Sequence, residues 1–344
     1  MTIENRILNT KFGTCCMIGD LVTKRNDTIE FQTQKDLKIG TITQSSLYKL
    51  HPMGPLTIEQ QHNVNKQVFD KITQKALDNV KALYRQIKTV STWPEHLRMF
   101  RVGSELLPMF DHSLFNDVYT SETDDVKFFL LQLDCWFNRI KKIVSESNIR
   151  VMTHPSQFTV VNSDKESVRL KSFDNLYYHK FFMEKITSPQ QGSTINIHLN
   201  GRLDHIPEFD AGMFDDLREW LSFENEDKIS NRGHNFTLEL CERYGIKYLF
   251  DIHHYFVENG NYLLDIEQFN RIVATWDNIK PAMHLSQPRS MENKKAMISH
   301  SDVITNENIV DHVRKLISIF NVDIEIEAKH KNLAAQHFAQ LIRE

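Results

Sequence analysis

Short apolar runs recur along the chain, and between them lie stretches whose apolar residues return every three or four positions. Thr194 to Leu199, Trp220 to Glu224, Ile246 to Asp251, Ala282 to Ser286 and Val322 to Glu327 are brief, β-branched or aromatic, and read as strands. Lys11 to Ile18, Met99 to Pro108 (turning at Gly103) and Ile149 to Thr153 complete a set of eight. Helical spacing fills most intervals. Val68, Ile72, Ala76, Val80, Leu83 and Ile87 mark one helix or two between Ile58 and Ile87. Val126, Phe129, Leu133, Phe137, Ile140 and Val144 mark a helix opened by Thr123. Further helices are expected over Glu166 to Ile186, His234 to Tyr244, Ile266 to Trp276 and Asn308 to Phe320. Eight strands alternating with helices predict an α/β fold, a single (β/α)8 TIM barrel formed by residues 1–344. The polar stretch Asp20 to Thr57, with Pro52, Gly54 and Pro55, reads as an extended loop insertion after the first strand. A doubly wound open sheet is the alternative, and the lack of a glycine-rich turn after the first strand counts against it.

Alternation inside the strands sorts their faces. Ile195 and Ile197 oppose His198; Leu221 and Phe223 oppose Glu224; Met283 and Leu285 flank His284; Ile324 and Ile326 oppose Glu325 and Glu327. Apolar residues packed on the helices leave the polar set pointing into the barrel, late in each strand, where barrel enzymes hold their sites. His154, His198, Glu224, Asp251, His254, His284 and Glu327 then converge from six strands, with His300 an eighth member in the loop after the seventh. Any one of them reads equally well as a hydrogen-bonded core residue or a cap. Seven together do not, because burying that many polar groups costs several kcal/mol each unless they are paired or metal-bound. Imidazole and carboxylate without cysteine favour Mn2+ or Zn2+ over an all-oxygen Mg2+ site.

Composition narrows the setting. The chain has 344 residues, 40% hydrophobic and 25% charged, with four cysteines in no Cys-x-x-Cys spacing. These predict an intracellular protein in a reducing compartment, cytoplasm or nucleus, with no membrane span, no signal peptide in Met1 to Thr10 and no disulfide framework. The formal charge of −4 gives no overall nucleic-acid footprint, yet three bound divalent ions would reverse its sign and offer a positive site to a phosphate.

FRVGSELLP (Phe100 to Pro108), THPSQF (Thr153 to Phe158), HLNG (His198 to Gly201), FENED (Phe223 to Asp227), FDIHH (Phe250 to His254), MHLSQPR (Met283 to Arg289), SHSD (Ser299 to Asp302) and IEAK (Ile326 to Lys329) occur in the order found in the UV damage endonuclease family, which this chain resembles from about Met99 onward. The resemblance implies a DNA repair endonuclease that nicks damaged double-stranded DNA immediately 5′ to a UV photoproduct, leaving a 3′-hydroxyl and a 5′-phosphate. It implies up to three divalent ions, Mn2+ first and Zn2+ or Mg2+ otherwise, and no organic cofactor; a monomer is expected. His154, His198, Glu224, Asp251, His254, His284, His300 and Glu327 match its metal ligands, and Gln157 a residue that enters the helix at the lesion. Glu224 is expected as the bridging carboxylate, with Asp251 and Glu327 as its catalytic companions. Phe158 is a stacking wedge or a buried loop residue, and Arg101 and Arg289 are phosphate clamps or structural salt bridges. Three positions depart from the family. Ala282 stands where a metal-bridging modified lysine is expected, so another group or a hydroxide fills the bridge, or fewer ions bind. Lys280 lies one repeat too low to substitute. Phe158 replaces a tyrosine and Thr14 a lesion-probing tyrosine. An endonuclease IV-type apurinic enzyme, a metal-dependent barrel sugar isomerase and a catalytically silent paralogue remain as rival readings.

Overall fold

The structure, a computed structural model, describes residues 2–50, 58–227, 233–262 and 265–344. Eight strands close into a parallel barrel: β1 (Phe12–Cys15), β4 (Met99–Val102), β5 (Arg150–Thr153), β6 (Ile195–His198), β7 (Leu221–Glu224), β8 (Lys247–Asp251), β9 (Ala282–Leu285) and β10 (Asp323–Ile326). They follow chain order around the ring, and β1 pairs with both β4 and β10 to shut it. Closure excludes the open-sheet alternative. The outward residues Ile195, Ile197, Leu221, Phe223, Leu285, Ile324 and Ile326 merge with the surrounding helices into one core. Each buried side chain of this size stabilises the fold by about 1.5–3 kcal/mol relative to exposure.

The interior stacks in layers. A floor carries Arg150, Lys247 and Asp323, all buried. Above it Met99, Met152, Leu249 and Ala282 form an apolar plug backed by Trp276. Gly13 of β1 stands beside Met99, and a Cβ there would come 2.7 Å from the Met99 Cγ, so only glycine leaves room for that side chain. The polar mouth follows in the next layer, with Asp251 opposite His284 and His284 opposite Glu325 in register.

The helix over Ile58–Ser91 is one unbroken element of 34 residues. It packs on the helix Asp124–Glu146 through Phe69 against Phe129 and Tyr84 against Trp136, with ring centroids 6.4 and 5.3 Å apart. The barrel strands are shorter than the apolar runs suggested: β1 stops at Cys15, where Cys16 takes a positive φ of 58°, and β4 stops before Gly103.

The stretch expected as a loop instead opens with an antiparallel hairpin, β2 (Gly19–Thr23) and β3 (Ile29–Thr33), followed by a short helix, Gln44–Tyr48. Ile29, Phe31 and Thr33 alternate with Glu30 and Gln32, and Asp27 supplies the left-handed turn residue at φ 60°, so the hairpin signal was present in the sequence. Pro52, Gly54 and Pro55 lie outside the described residues. Two terminal helices were not foreseen. Ile3–Asn9 is capped by Thr2, and Lys331–Arg343 lays Ala335, Phe338 and Ala339 into the core, with Phe338 edge-on to Phe12 at 5.9 Å.

Candidate metal centre

Each expected ligand sits at or just beyond the carboxyl end of a strand. His154 follows β5, His198 ends β6, Glu224 ends β7, Asp251 ends β8, His284 lies in β9 and Glu327 follows β10. The fold delivers them there because strand alternation turns the apolar neighbours outward and leaves these groups the interior. Asp251 also caps the helix Ile252–Asn259, its Oδ1 accepting from the His254 N–H at 2.8 Å. That cap places His254 over the mouth one turn later. Asn225 Oδ1 accepts from the Asp251 N–H at 2.8 Å and its amide returns a bond to the Asp251 carbonyl at 3.0 Å, locking the junction.

Glu224 is the hub. Its Oε2 lies 3.4 Å from His154 Nε2 and 3.8 Å from His198 Nε2; its Oε1 lies 3.1 Å from His284 Nδ1 and 3.5 Å from His254 Nδ1. His154 and His198 approach each other at 3.2 Å through Nε2, and His284 Nδ1 is 3.4 Å from Glu327 Oε1. His300 enters from the loop after β9, held by a bridge to Pro288, with Nδ1 3.9 Å from Glu327 Oε2. Among the described residues three groupings carry ligand atoms mutually within 4.8 Å: His154–His198–Glu224 and Glu224–Asp251–His284, which share Glu224, and Cys15–Glu325–Glu327 beside them.

Several of these atoms are buried without a hydrogen-bond partner: Asp251 Oδ2, His198 Nδ1 and both nitrogens of His284. Of these, the Asp251 carboxylate and His284 Nδ1 belong to the cluster with Glu224, while His198 Nδ1 faces Glu226 and His284 Nε2 faces Glu325; the mixed imidazole–carboxylate donor set suits a divalent ion. The electrostatics agree. Burial raises Glu224, but the neighbouring His284 and His198 outweigh it and hold the carboxyl well below its usual range. Burial pushes His198 down to about 3 and raises Asp251. Burial would lower His254 and His284 too, yet Asp251 and Glu224 lift His254 to about 10, and Glu224 and Glu327 lift His284 to about 9. Protons on these two rings balance the carboxylates, and a bound cation would displace them.

Other positions fare differently. The Arg101 side chain, 11% exposed, gives its guanidinium to Glu325 and Glu327 and lies 3.3 Å from Cys15 Sγ, the contacts of a structural salt bridge. Arg289 is exposed at the mouth. Gln157 and Phe158 form an exposed turn after His154, and Phe158 is 78% exposed, which removes the buried-loop alternative. Thr14 is buried within β1. Ala282 belongs to the apolar plug, and Lys280 turns to the floor, its Nζ 2.5 Å from Asp323 and 2.6 Å from the Asn9 carbonyl.

Sequence reasoning passed over four site residues: Glu325, buried beside His284; Cys15, whose Sγ is 3.1 Å from Glu325 Oε1; Asn196, which donates to Glu224; and Glu226, 3.4 Å from His198 Nδ1. The alternation that exposed Glu327 had already turned Glu325 inward. Beside the cluster opens a cavity of about 500 Å3, bounded by His154, Glu327 and Arg101 on the barrel side and by Thr33, Leu37 and Lys38 of the inserted region on the other.

A (β/α)8 barrel with histidines and carboxylates gathered at its carboxyl-end mouth defines a class of barrel enzymes with ligand sets suited to divalent ions. Within that class the chain belongs to the family described as UV-endonuclease UvdE, whose profile it matches over residues 10–344. It is 26% identical over 322 residues to the UV DNA damage endonuclease of Bacillus cereus (strain 03BB102), covering 88% of this chain and 94% of that one. To the enzyme of the same description from Bacillus mycoides (strain KBAB4) it is 27% identical over 313 residues, covering 87% and 92%. Its fold is similar to the crystal structure of SacUVDE, with TM-score 0.66 and 21% identity over 97% of this chain and 98% of that one. It also resembles endonuclease IV from Thermus thermophilus, with TM-score 0.50 and 11% identity over 76% and 93%. The chain is thus a DNA repair nuclease of the UV damage endonuclease family, and DNA is its substrate. No helix among the described residues is long and apolar enough to cross a membrane.

Proposed function

We propose that this chain hydrolyses the phosphodiester immediately 5′ to a UV photoproduct in double-stranded DNA, using a cluster of up to three divalent ions, Mn2+ foremost, held by His154, His198, Glu224, Asp251, His254, His284, His300 and Glu327. The observation that carries the reading is the set of imidazole and carboxylate groups converging around the buried Glu224. Divalent ions bound there would supply a deprotonated water and stabilise the leaving 3′-oxygen.

The chain's own residues set the geometry. Glu224, with one oxygen turned to each histidine pair, would be shared by ions bound on its two sides, and Asn196 donates to its Oε2. Asp251 and Glu327 would hold those ions alongside it. Positive charge held at the mouth binds the phosphate, which accounts for DNA binding by a chain of net charge −4. The exposed Arg289 adds a contact to the DNA backbone.

Lesion reading falls to the turn at Gln157 and Phe158. A damaged step is already weakly stacked, so opening it costs less than opening normal bases, and an exposed aromatic ring can fill the gap. The cavity beside the cluster, walled partly by the insertion, lies within reach of a displaced nucleotide.

The test is nicking of a labelled duplex carrying one pyrimidine dimer, one abasic site or no damage, with Mn2+ and after chelation. Mn2+-dependent cleavage 5′ to the dimer supports the reading. Cleavage at the abasic site alone would transfer the protein to apurinic chemistry.

A further inference from the structure

His284 has two ring nitrogens buried without hydrogen-bond partners, and they face different neighbours. Nδ1 points to the ligand cluster, 3.1 Å from Glu224 Oε1 and 3.4 Å from Glu327 Oε1. Nε2 points the other way, 3.7 Å from Glu325 Oε1. Glu325 is fully buried and sits directly opposite His284 in the β9–β10 register. Its Oε1 meets Cys15 Sγ at 3.1 Å and Arg101, while its Oε2 has no hydrogen-bond partner. Arg101 alone does not explain the residue, since one guanidinium already serves Glu327 and a second buried carboxylate exceeds its charge.

A metal-ligating histidine usually gives its second ring N–H to a carboxylate, which fixes the tautomer and makes the ligating nitrogen more basic. We propose that Glu325 is the positioning carboxylate of His284: it accepts the Nε2–H and so commits the Nδ1 lone pair to the ion beside Glu224 and Glu327. This rests on the metal-centre reading above. Moving from 3.7 Å into hydrogen-bond range requires a closure of about 0.5–1 Å, a small rotation for a side chain with an unpartnered oxygen. Arg101 grips Glu325 and Glu327 together, so the positioning carboxylate and a neighbouring ligand move as one unit. The device also returns a negative charge next to the layer where Ala282 offers none.

The test is calorimetric Mn2+ titration of chelator-stripped wild type, Glu325→Met and Glu325→Gln, with long-range 1H–15N spectra of the Zn2+-loaded wild type. The expected results are a 10–100-fold weaker affinity in Glu325→Met, an intermediate loss in Glu325→Gln, an unchanged number of ions, and His284 observed as the Nε2–H tautomer. Undiminished affinity in folded variants would overturn the assignment, as would an Nδ1–H tautomer. A loss of one ion per chain would make Glu325 a direct ligand instead of a positioning group. Wild type that takes up no ion would overturn the metal centre itself, and this inference with it.

Discussion

At the floor of the barrel Asp323 is met by Lys280 Nζ at 2.5 Å, Arg150 at 2.9 Å and the Lys11 N–H at 2.8 Å. At the mouth, two layers higher, Glu224 and Asp251 are as deeply buried, yet imidazoles surround them and several of the facing atoms lack hydrogen bonds. The same small barrel therefore buries carboxylates in two ways. Below, cations of the chain answer the carboxylate directly, and Arg150 is also sandwiched with Trp276 at 5.3 Å. Above, imidazoles and Arg101 meet the carboxylates, in the donor set proposed to hold divalent ions. The Met99–Met152–Leu249–Ala282 plug keeps the two regimes apart. Deep burial of charge is thus no sign of function by itself; carboxylates met by a ring of imidazoles, where the floor has lysine and arginine, distinguish the functional end, in keeping with the division of barrels into a stability face and a catalytic face.

Substitutions at either end should break the comparison in opposite senses. The largest effect belongs to the mouth: Glu224→Gln should lower nicking of a dimer-containing duplex by about three orders of magnitude or more, while thermal unfolding of the metal-free protein stays close to wild type. Near-normal nicking in that variant would remove Glu224 from its bridging role. At the floor, Asp323→Asn strands Arg150 and Lys280 and should cost about 3–5 kcal/mol of stability in denaturant titration, with Mn2+ affinity of the folded protein unchanged.

Acid sharpens the same point. Burial raises the Asp323 carboxyl, but Arg150 and Lys280 outweigh it and hold it below its usual value near 3.8. A depressed folded-state value means its stabilisation is present above the unfolded value and lost as pH falls through the folded one. The stability gap between wild type and Asp323→Asn should accordingly be constant near neutrality and close below about pH 4, as followed by unfolding at a series of pH values. A gap that persists undiminished into strong acid would contradict the ion-pair account. The smallest effect is expected at the exposed turn. Phe158→Ala should weaken binding to a dimer duplex by about 1–3 kcal/mol and leave stability within about 0.5 kcal/mol; equal loss on undamaged DNA would argue against lesion stacking.

The barrel and most of its mouth were legible because both rest on local alternation. Ile-x-Ile-His and Leu-x-Phe-Glu state which face is apolar, and closing the sheet does the rest. Glu325 was visible by the same rule and was passed over because it stands two residues before the more prominent Glu327. Arg101 was left between clamp and salt bridge because sequence shows charge and not the direction of a side chain; the β10–β1–β4 adjacency brings Glu325 and Glu327 to it. The β2–β3 hairpin carried an alternating signal in Ile29–Thr33, but its polar composition outweighed it, its largely exposed strands having little core to cover. The terminal helix Lys331–Arg343 has apolar residues at helical spacing, but it starts only four residues after Glu327, with no turn signal to separate it from the strand.

The measurement that tests the central claim most directly is anomalous diffraction from Mn2+-loaded crystals, collected at the manganese edge. The account predicts more than one peak between Glu224 and its surrounding histidines, within ligand distance of Asp251 or Glu327, and none beside Asp323. A mouth without anomalous density, or an ion at the floor, would contradict it.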